Sequence, residues 1–196
     1  MSPELHINLA NLKSNIKFFQ RIIKTNTELS AVVKSDAYGL GIAKIVPEIE
    51  RYGVRSFFSA TISEAIKIRS HSRDCEIFTL NGFDFLKSNL YREHNITPII
   101  NNILEAQKFI EIFNQTQKVA IQLNTGMNRL GLDKQSLLEN IDMVKSLPLN
   151  LILSHLACAD DTSNKENKAQ TDLFIELCKF LPNIRQSISA SHGTLL

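Results

Sequence analysis

At 196 residues, with 43% hydrophobic and 21% charged residues, the chain holds enough apolar mass for a folded core, which excludes a disordered chain. A net charge of +2 from scattered basic residues argues against nucleic acid or an anionic membrane as partner, and no apolar run nears the roughly 20 residues that span a bilayer. Its three cysteines, Cys75, Cys158 and Cys178, are far apart without a CxxC pair, and the N-terminus lacks signal-peptide regions; free thiols, no structural zinc and a cytoplasmic location are expected.

In chain order, residues 4–8 alternate apolar and polar side chains, which predicts a half-buried strand. Leu9, Leu12, Ile16, Phe19 and Ile23 mark one face of a helix running to about residue 24. Residues 29–33 read as a buried strand ending at Lys34, and Ile42, Ile45, Val46 and Ile49 as the face of a helix in which Pro47 allows a kink or a break. Strands follow at 56–61, 76–80, 96–100, 118–123, 149–153 and 184–190. Helices are predicted at 62–69, 83–92, 103–113, 134–145 and 165–180.

Strand and helix alternate at roughly 25-residue spacing with no linker or low-complexity run, the pattern of a parallel sheet covered by helices. After the first segment there are seven β units, beginning at residues 29, 56, 76, 96, 118, 149 and 184. A (β/α)8 barrel closes with eight strands, so the count predicts an incomplete TIM-type barrel; an open doubly wound sheet also fits the periodicity. Both architectures put a ligand at the carboxyl ends of the strands.

Those ends carry Lys34, Thr61, Leu80, Asn81, Asn101, Asn124, Thr125, Ser154, His155, Ser191 and His192, a polar set short of carboxylates. It suits an anion site with one reactive amine better than a two-metal or two-carboxylate hydrolase. In residues 31–41, AVVKSDAYGLG, a lysine ends a strand and glycines open the next helix. That arrangement suits a Schiff-base amine beside a bound phosphate, and an ordinary strand-to-helix turn with a solvated lysine also fits it. Arg129 in the loop 124–131 can offer a planar fork to a carboxylate or a phenolic oxygen, or be a solvated surface arginine. His155 can stack on a ring, relay a proton or be a satisfied core residue. Asp36, Asp160 and Asp161 match no cation-binding loop spacing. The segment 189–194 forms a phosphate cup if a helix begins there.

Taken together, AVVKSDAYGLG (31–41), NTGMNRLGL (124–132), SHLACAD (154–160) and SASHGTLL (189–196), in this order, resemble the N-terminal part of bacterial alanine racemases from about residue 5 onward. That family consists of enzymes of pyridoxal-phosphate fold type III. The resemblance implies a partial N-terminal barrel domain over residues 1–196, without the family's C-terminal β domain. It further implies pyridoxal 5'-phosphate as cofactor and racemisation of L- and D-alanine, supplying D-alanine for peptidoglycan. By carry-over, Lys34 is the Schiff-base lysine and one of two catalytic bases, while Tyr38 and Ser191 hold the cofactor phosphate. Arg129 reaches the phenolic oxygen and the substrate carboxylate, His155 packs on or beside the pyridine ring, and Leu80 lines the pocket. No metal is implied, and the full-length family is homodimeric.

The sequence also departs from the family pattern. Leu40 replaces a histidine, Asn124 a common aspartate, and Gln122 stands where several members carry a carbamylated lysine that orients the arginine, so Arg129 needs other support. The Arg-Pro-Gly segment and the C-terminal tyrosine, the opposite-face base from the partner subunit, are not in these 196 residues, and the chain alone is therefore expected to be inactive. Two other readings stay open: a pyridoxal-phosphate carrier or decayed remnant without catalysis, and a decarboxylase of the same fold type, which the AYGxG continuation disfavours. A racemase for serine or another small amino acid also fits.

Overall fold

The computed structural model describes residues 4–196, which fall into two compact units, Met1–Leu80 and Asn81–Leu196. In the first unit, α1 (Leu9–Ile22) leads to β1 (Ser30–Val32), a short turn α2 (Lys34–Tyr38), α3 (Ile42–Arg51), β2 (Ser56–Ser59), α4 (Ile62–Arg69) and β3 (Glu76–Thr79). The strands pair in parallel in the order β1, β2, β3, with Ala31 opposite Phe57 and Phe57 opposite Ile77. Phe57 and Ile77 are fully buried, and Phe58 and Phe78 stack with ring centroids 4.8 Å apart. Ile42, Ile45, Val46 and Ile49 of α3 are buried at the spacing the sequence anticipates, as are Ile62, Ala65 and Ile68 of α4. Pro47 does not break α3, because its ring is on the exposed face while the opposite face buries four aliphatic side chains.

Two expectations fail here. Residues 4–8 form no strand: an isolated extended segment gains nothing until its N–H and C=O groups find an edge, and this one has no strand partner among the described residues. It serves instead to start α1, the Asn8 side chain accepting the N–H groups of Ala10 and Asn11. Nor is β1 buried. Its strand partner among the described residues is β2, and Val32 is 44% exposed while only the following Val33 is sequestered. The apolar run reads as a core strand because apolar content records composition and not which side is covered.

In the second unit, a 3-10 turn at Phe85–Lys87 precedes α5 (Ser88–Glu93), β4 (Thr97–Ile100), α6 (Ile103–Phe113) and β5 (Val119–Gln122). Then come α7 (Lys134–Glu139), α8 (Ile141–Ser146), β6 (Leu149–Leu153), α9 (Lys165–Cys178) and β7 (Arg185–Ser187). The strands β4, β5, β6 and β7 pair in parallel in that order, with a register shift between Val119 and Ala120. Phe83, Phe109 and Phe113 meet with ring centroids 5.0 to 5.6 Å apart and Tyr91 joins them at 5.4 Å, an aromatic core under α5 and α6. The helix expected at 134–145 is two helices, because Asn140 turns its side chain back onto the Ser136 carbonyl at 3.0 Å and leaves helical geometry. The helix expected from residue 83 starts later, after the 3-10 turn. All seven expected β units contain a strand, though β7 is shorter than the predicted 184–190.

Candidate functional site

In the first unit the ladder continues past β1 and β3 through Val33 N–H to Phe58 O at 2.8 Å and Leu80 N–H to Ser59 O at 2.9 Å. These bonds place Lys34 and Leu80 at the carboxyl edge of that unit's sheet. The residues after Lys34 do not form a right-handed helix. Ser35, Asp36, Ala37 and Tyr38 all have φ between 53° and 56°, one turn of left-handed helix, closed by Gly39 at φ 84° and Gly41 at φ 90°. For residues with a Cβ this conformation costs roughly 1–2 kcal/mol each, so the turn stores several kcal/mol. Its internal bonds run from Ala37 N–H to Val33 O and from Gly39 N–H to Ser35 O, both 2.9 Å, and from Gly41 N–H to Asp36 O at 2.8 Å. The turn lifts Tyr38 into solvent, 62% exposed, and leaves Lys34 half-buried. Neither the Lys34 amine nor the Tyr38 hydroxyl has a hydrogen-bond partner among the described residues.

Neighbouring side chains grip this turn. Glu64 of α4 accepts the Ser35 N–H at 2.7 Å on one oxygen and the Ala60 N–H at 2.8 Å on the other. Asp36 accepts the Lys67 ammonium at 2.7 Å and the Ile42 N–H at 3.0 Å. The Lys67 hydrogen bond, then the Ile42 N–H, hold the Asp36 carboxyl below the usual aspartate range.

In the second unit, Arg129 is on a loop pinched at its base. Asn124 N–H donates to Leu132 O at 2.8 Å, and Leu132 N–H to Gln122 O at 2.9 Å. Gly131 is required there, since a Cβ would meet the Gln122 carbonyl at 2.8 Å and φ is +102°. Inside the loop, the Asn124 side-chain oxygen accepts the N–H groups of Gly126 at 3.1 Å and Asn128 at 3.0 Å. A neutral Asn124 thus organises the loop as an aspartate would, by accepting backbone N–H groups. Arg129 is exposed with no hydrogen-bond partner among the described residues, and neither Gln122 nor Asn124 orients it.

His155 comes after β6 and is half-buried beside a cleft lined by Gln122, Asn124, Thr125 and Ser154. Below it, the buried hydroxyls of Thr125 and Ser154 share a hydrogen bond of 2.8 Å. Ser191 is exposed in a turn where Thr194 N–H donates to Ala190 O at 2.9 Å. The helix that would have made a phosphate cup of 189–194 is only a 3-10 turn, Gly193–Leu195.

Sequence reasoning missed Gln170, which holds the His155 segment, and the two glutamates Glu64 and Glu105, which tie strand-end loops to helices. Gln170, 1% exposed on α9, accepts the Ala157 N–H at 2.9 Å and donates to the His155 carbonyl at 3.3 Å. Glu105 of α6 accepts the N–H groups of Asn101 at 2.9 Å and Phe83 at 3.2 Å. Burial pushes its carboxyl above the usual glutamate range, against the pull of those N–H groups. The signal for Glu64 and Glu105 was present, a glutamate three residues after a Thr or Asn cap; Gln170 gives none, because its partners are backbone groups far away in sequence.

By donor chemistry, the first unit offers the Lys34 amine and the Tyr38 phenol, and the second unit the Arg129 guanidinium, the His155 imidazole and the Ser191 hydroxyl, each a group able to meet an anionic oxygen. No group of three or more metal-ligating side chains is clustered among the described residues, and none of the described helices is long and apolar enough to cross a membrane.

Comparison with known proteins identifies the family and the fold. The profile described as "Alanine racemase, N-terminal domain" matches residues 7–196. The alanine racemases of Rickettsia akari and Rickettsia prowazekii are 33% and 34% identical over 98% of this chain, which covers 56% and 49% of their lengths. The crystal structure of alanine racemase from Bartonella henselae with covalently bound pyridoxal phosphate superposes with a TM-score of 0.90 at 31% identity, over 97% of this chain and 57% of that one. This chain spans about half the length of these relatives. Its fold class is that of their barrel, with seven of the strands, as the strand count anticipated. The chain belongs to the alanine racemase family, matching that family's N-terminal domain.

Proposed function

We propose that residues 1–196 act as the cofactor-binding part of a pyridoxal-phosphate-dependent alanine racemase of the cytoplasm, a homodimer in its full-length form, whose D-alanine product serves peptidoglycan. The observation that supports this most is the unpartnered amine of Lys34 at the head of a strained left-handed turn, in a chain of this family. When bound, the cofactor supplies an electron sink conjugated to the substrate Cα, which lowers the cost of removing its proton.

In this reading Lys34 Nζ would hold the cofactor, and as a free amine it would take or return the Cα proton on one face. Tyr38 and Ser191 donate their hydroxyls to the phosphate. Arg129 presents its fork to the phenolic oxygen and to the substrate carboxylate; with Gln122 and Asn124 both neutral, no anion on those two residues competes for it. His155 offers an imidazole face to the ring, held in place through its own carbonyl by Gln170. Leu80 excludes water from one side. Lys34 is the one base this reading draws from the chain, and the opposite-face proton comes from another group.

The test is reconstitution of the purified chain with pyridoxal phosphate, borohydride reduction and mass spectrometry. The expected result is a single label on Lys34 that is lost in Lys34→Ala, and a label elsewhere or none overturns the assignment. Chiral analysis of alanine, run in parallel, separates an enzyme from a carrier.

A further inference from the structure

We propose that Glu64 and Lys67, one turn apart on α4, are positioning residues that clamp the left-handed turn after Lys34 and so aim its amine. The inference rests on the reading of Lys34 as the cofactor lysine. Four consecutive non-glycine residues at φ near +55° do not hold that shape on their own, so something outside the turn must over-determine it. Among the described residues, side chains of α4 reach it at consecutive positions. Glu64 Oε1 accepts the Ser35 N–H at 2.7 Å, and Lys67 Nζ donates to Asp36 Oδ1 at 2.7 Å. The same Asp36 oxygen accepts the Ile42 N–H at 3.0 Å, which ties the exit of the turn to the start of α3.

Glu64 is itself fixed. Its other oxygen accepts the N–H groups of Ala60 at 2.8 Å and Thr61 at 3.3 Å, and the Thr61 hydroxyl accepts the Glu64 N–H at 3.3 Å. A single carboxylate therefore joins the end of β1 to the end of β2, and the grip falls on the two residues immediately after Lys34. Both oxygens are needed as acceptors. A glutamine has one acceptor oxygen and one donor amide, so it must abandon either Ser35 or the Ala60–Thr61 pair.

The experiment compares the chain with Glu64→Gln, Lys67→Ala, Glu105→Gln and Glu64→Gln/Ser35→Gly. Two readouts are taken: amide hydrogen exchange of residues 33–41 without cofactor, and the rate at which pyridoxal phosphate and borohydride label Lys34. Loss of a charge-assisted hydrogen bond predicts about tenfold faster exchange in that segment for Glu64→Gln and a comparably slower labelling of Lys34. Lys67→Ala gives the same pattern more weakly. Glu105→Gln, which removes an equivalent carboxylate that does not touch the turn, leaves both readouts as in the parent chain. Adding Ser35→Gly to Glu64→Gln restores the labelling rate, because glycine holds positive φ unaided, while recovering only part of the lost thermal stability.

Parent-like exchange and labelling in Glu64→Gln overturns the clamp, and so does an equal effect of Glu105→Gln. If Glu64→Gln does not fold, Lys67→Ala decides, since an exposed ion pair can be removed without unfolding: unchanged exchange at residues 35–42 overturns the proposal. A parent chain unlabelled at Lys34 refutes the functional reading alone, and the exchange data still judge the clamp.

Discussion

The corner between β2 and α4 and the corner between β4 and α6 are built on one local plan. Each runs cap, isoleucine, any residue, glutamate, alanine: Thr61, Ile62, Ser63, Glu64, Ala65 in one and Asn102, Ile103, Leu104, Glu105, Ala106 in the other. In each, the cap side chain accepts the glutamate N–H, and the glutamate carboxylate accepts from the backbone before the helix and from the loop after the preceding strand, at Ser35 or at Phe83. They differ in what they hold. Glu105 occupies the space that a Cβ on Gly82 would need, glycine adopts its φ of +95° there without strain, and the carboxylate is buried enough for its pKa to rise. Glu64 holds a turn in which no residue from Ser35 to Tyr38 is a glycine. The same device tightens a loop that would form anyway in one unit, and in the other maintains one that would not.

Breaking the Glu105 corner gives the largest effects. In Gly82→Ala the new Cβ would sit 2.5 to 2.9 Å from the Glu105 carboxylate at a φ that alanine resists, which predicts a loss of about 3 kcal/mol in urea unfolding. Gly53→Ala separates the two causes. There φ is +89° but the nearest atom is a Gln20 side-chain nitrogen at 3.8 Å, so only the backbone penalty of about 1 kcal/mol should remain. Equal losses at the two glycines would show that the contact with Glu105 contributes nothing.

Next in size, Glu105→Ala strands the N–H groups of Asn101 and Phe83, for a loss of about 2 kcal/mol. Its pH dependence has a definite sign. Because the folded pKa is raised, the folded chain holds this proton more tightly than the unfolded chain. The associated stability is full below the unfolded value and is lost as pH rises through the raised folded value. As pH rises above the ordinary glutamate value of about 4.3, the stability of the parent chain should therefore fall relative to Glu105→Gln; a flat difference between the two unfolding midpoints would refute the burial of this carboxylate.

The contrast between the corners also marks what could be read from sequence. The helices α3, α4 and α6 follow from aliphatic spacing and from caps at Gly41, Thr61 and Asn102, because local terms decide them. Lys34 and His155 draw attention as polar residues at the ends of apolar runs, and Arg129 as a guanidinium in a loop that holds two glycines. The left-handed turn was not legible. SDAY carries no glycine before position 39, and its conformation is imposed by Glu64 and Lys67 from another element. The exposure of β1 and the missing strand at residues 4–8 were hidden for a related reason: an alternating or apolar pattern says that a segment suits a sheet, not whether a partner covers it. Gln170 was out of reach because its partners are backbone groups that only the folded chain brings to it.

Ser35→Gly sharpens the comparison by making the first unit's turn more like the second unit's. Glycine removes roughly 1–2 kcal/mol of left-handed strain and returns roughly 0.5–1 kcal/mol in unfolded-chain entropy, so a net gain of about 0.5–1 kcal/mol is expected. The Ser35 side chain makes no hydrogen bond among the described residues, which leaves little to offset that gain. A loss of stability would mean that the turn is not strained at Ser35.

The smallest effect belongs to the Lys67–Asp36 pair, whose two side chains are each 50% exposed. Lys67→Ala should lower the unfolding midpoint slightly at low ionic strength and not at all in molar salt, since the interaction is screened. Its pH dependence runs opposite to that of Glu105. The folded Asp36 carboxyl is held below its unfolded value, so its contribution is present above the unfolded aspartate value and is lost as pH falls through the depressed one. Parent and variant should therefore converge in acid, while the Glu105 pair diverges on going up in pH. If both pairs moved in the same direction, the carboxylates would be titrating in like surroundings, and the distinction between a buried anchor and an exposed clamp would fail.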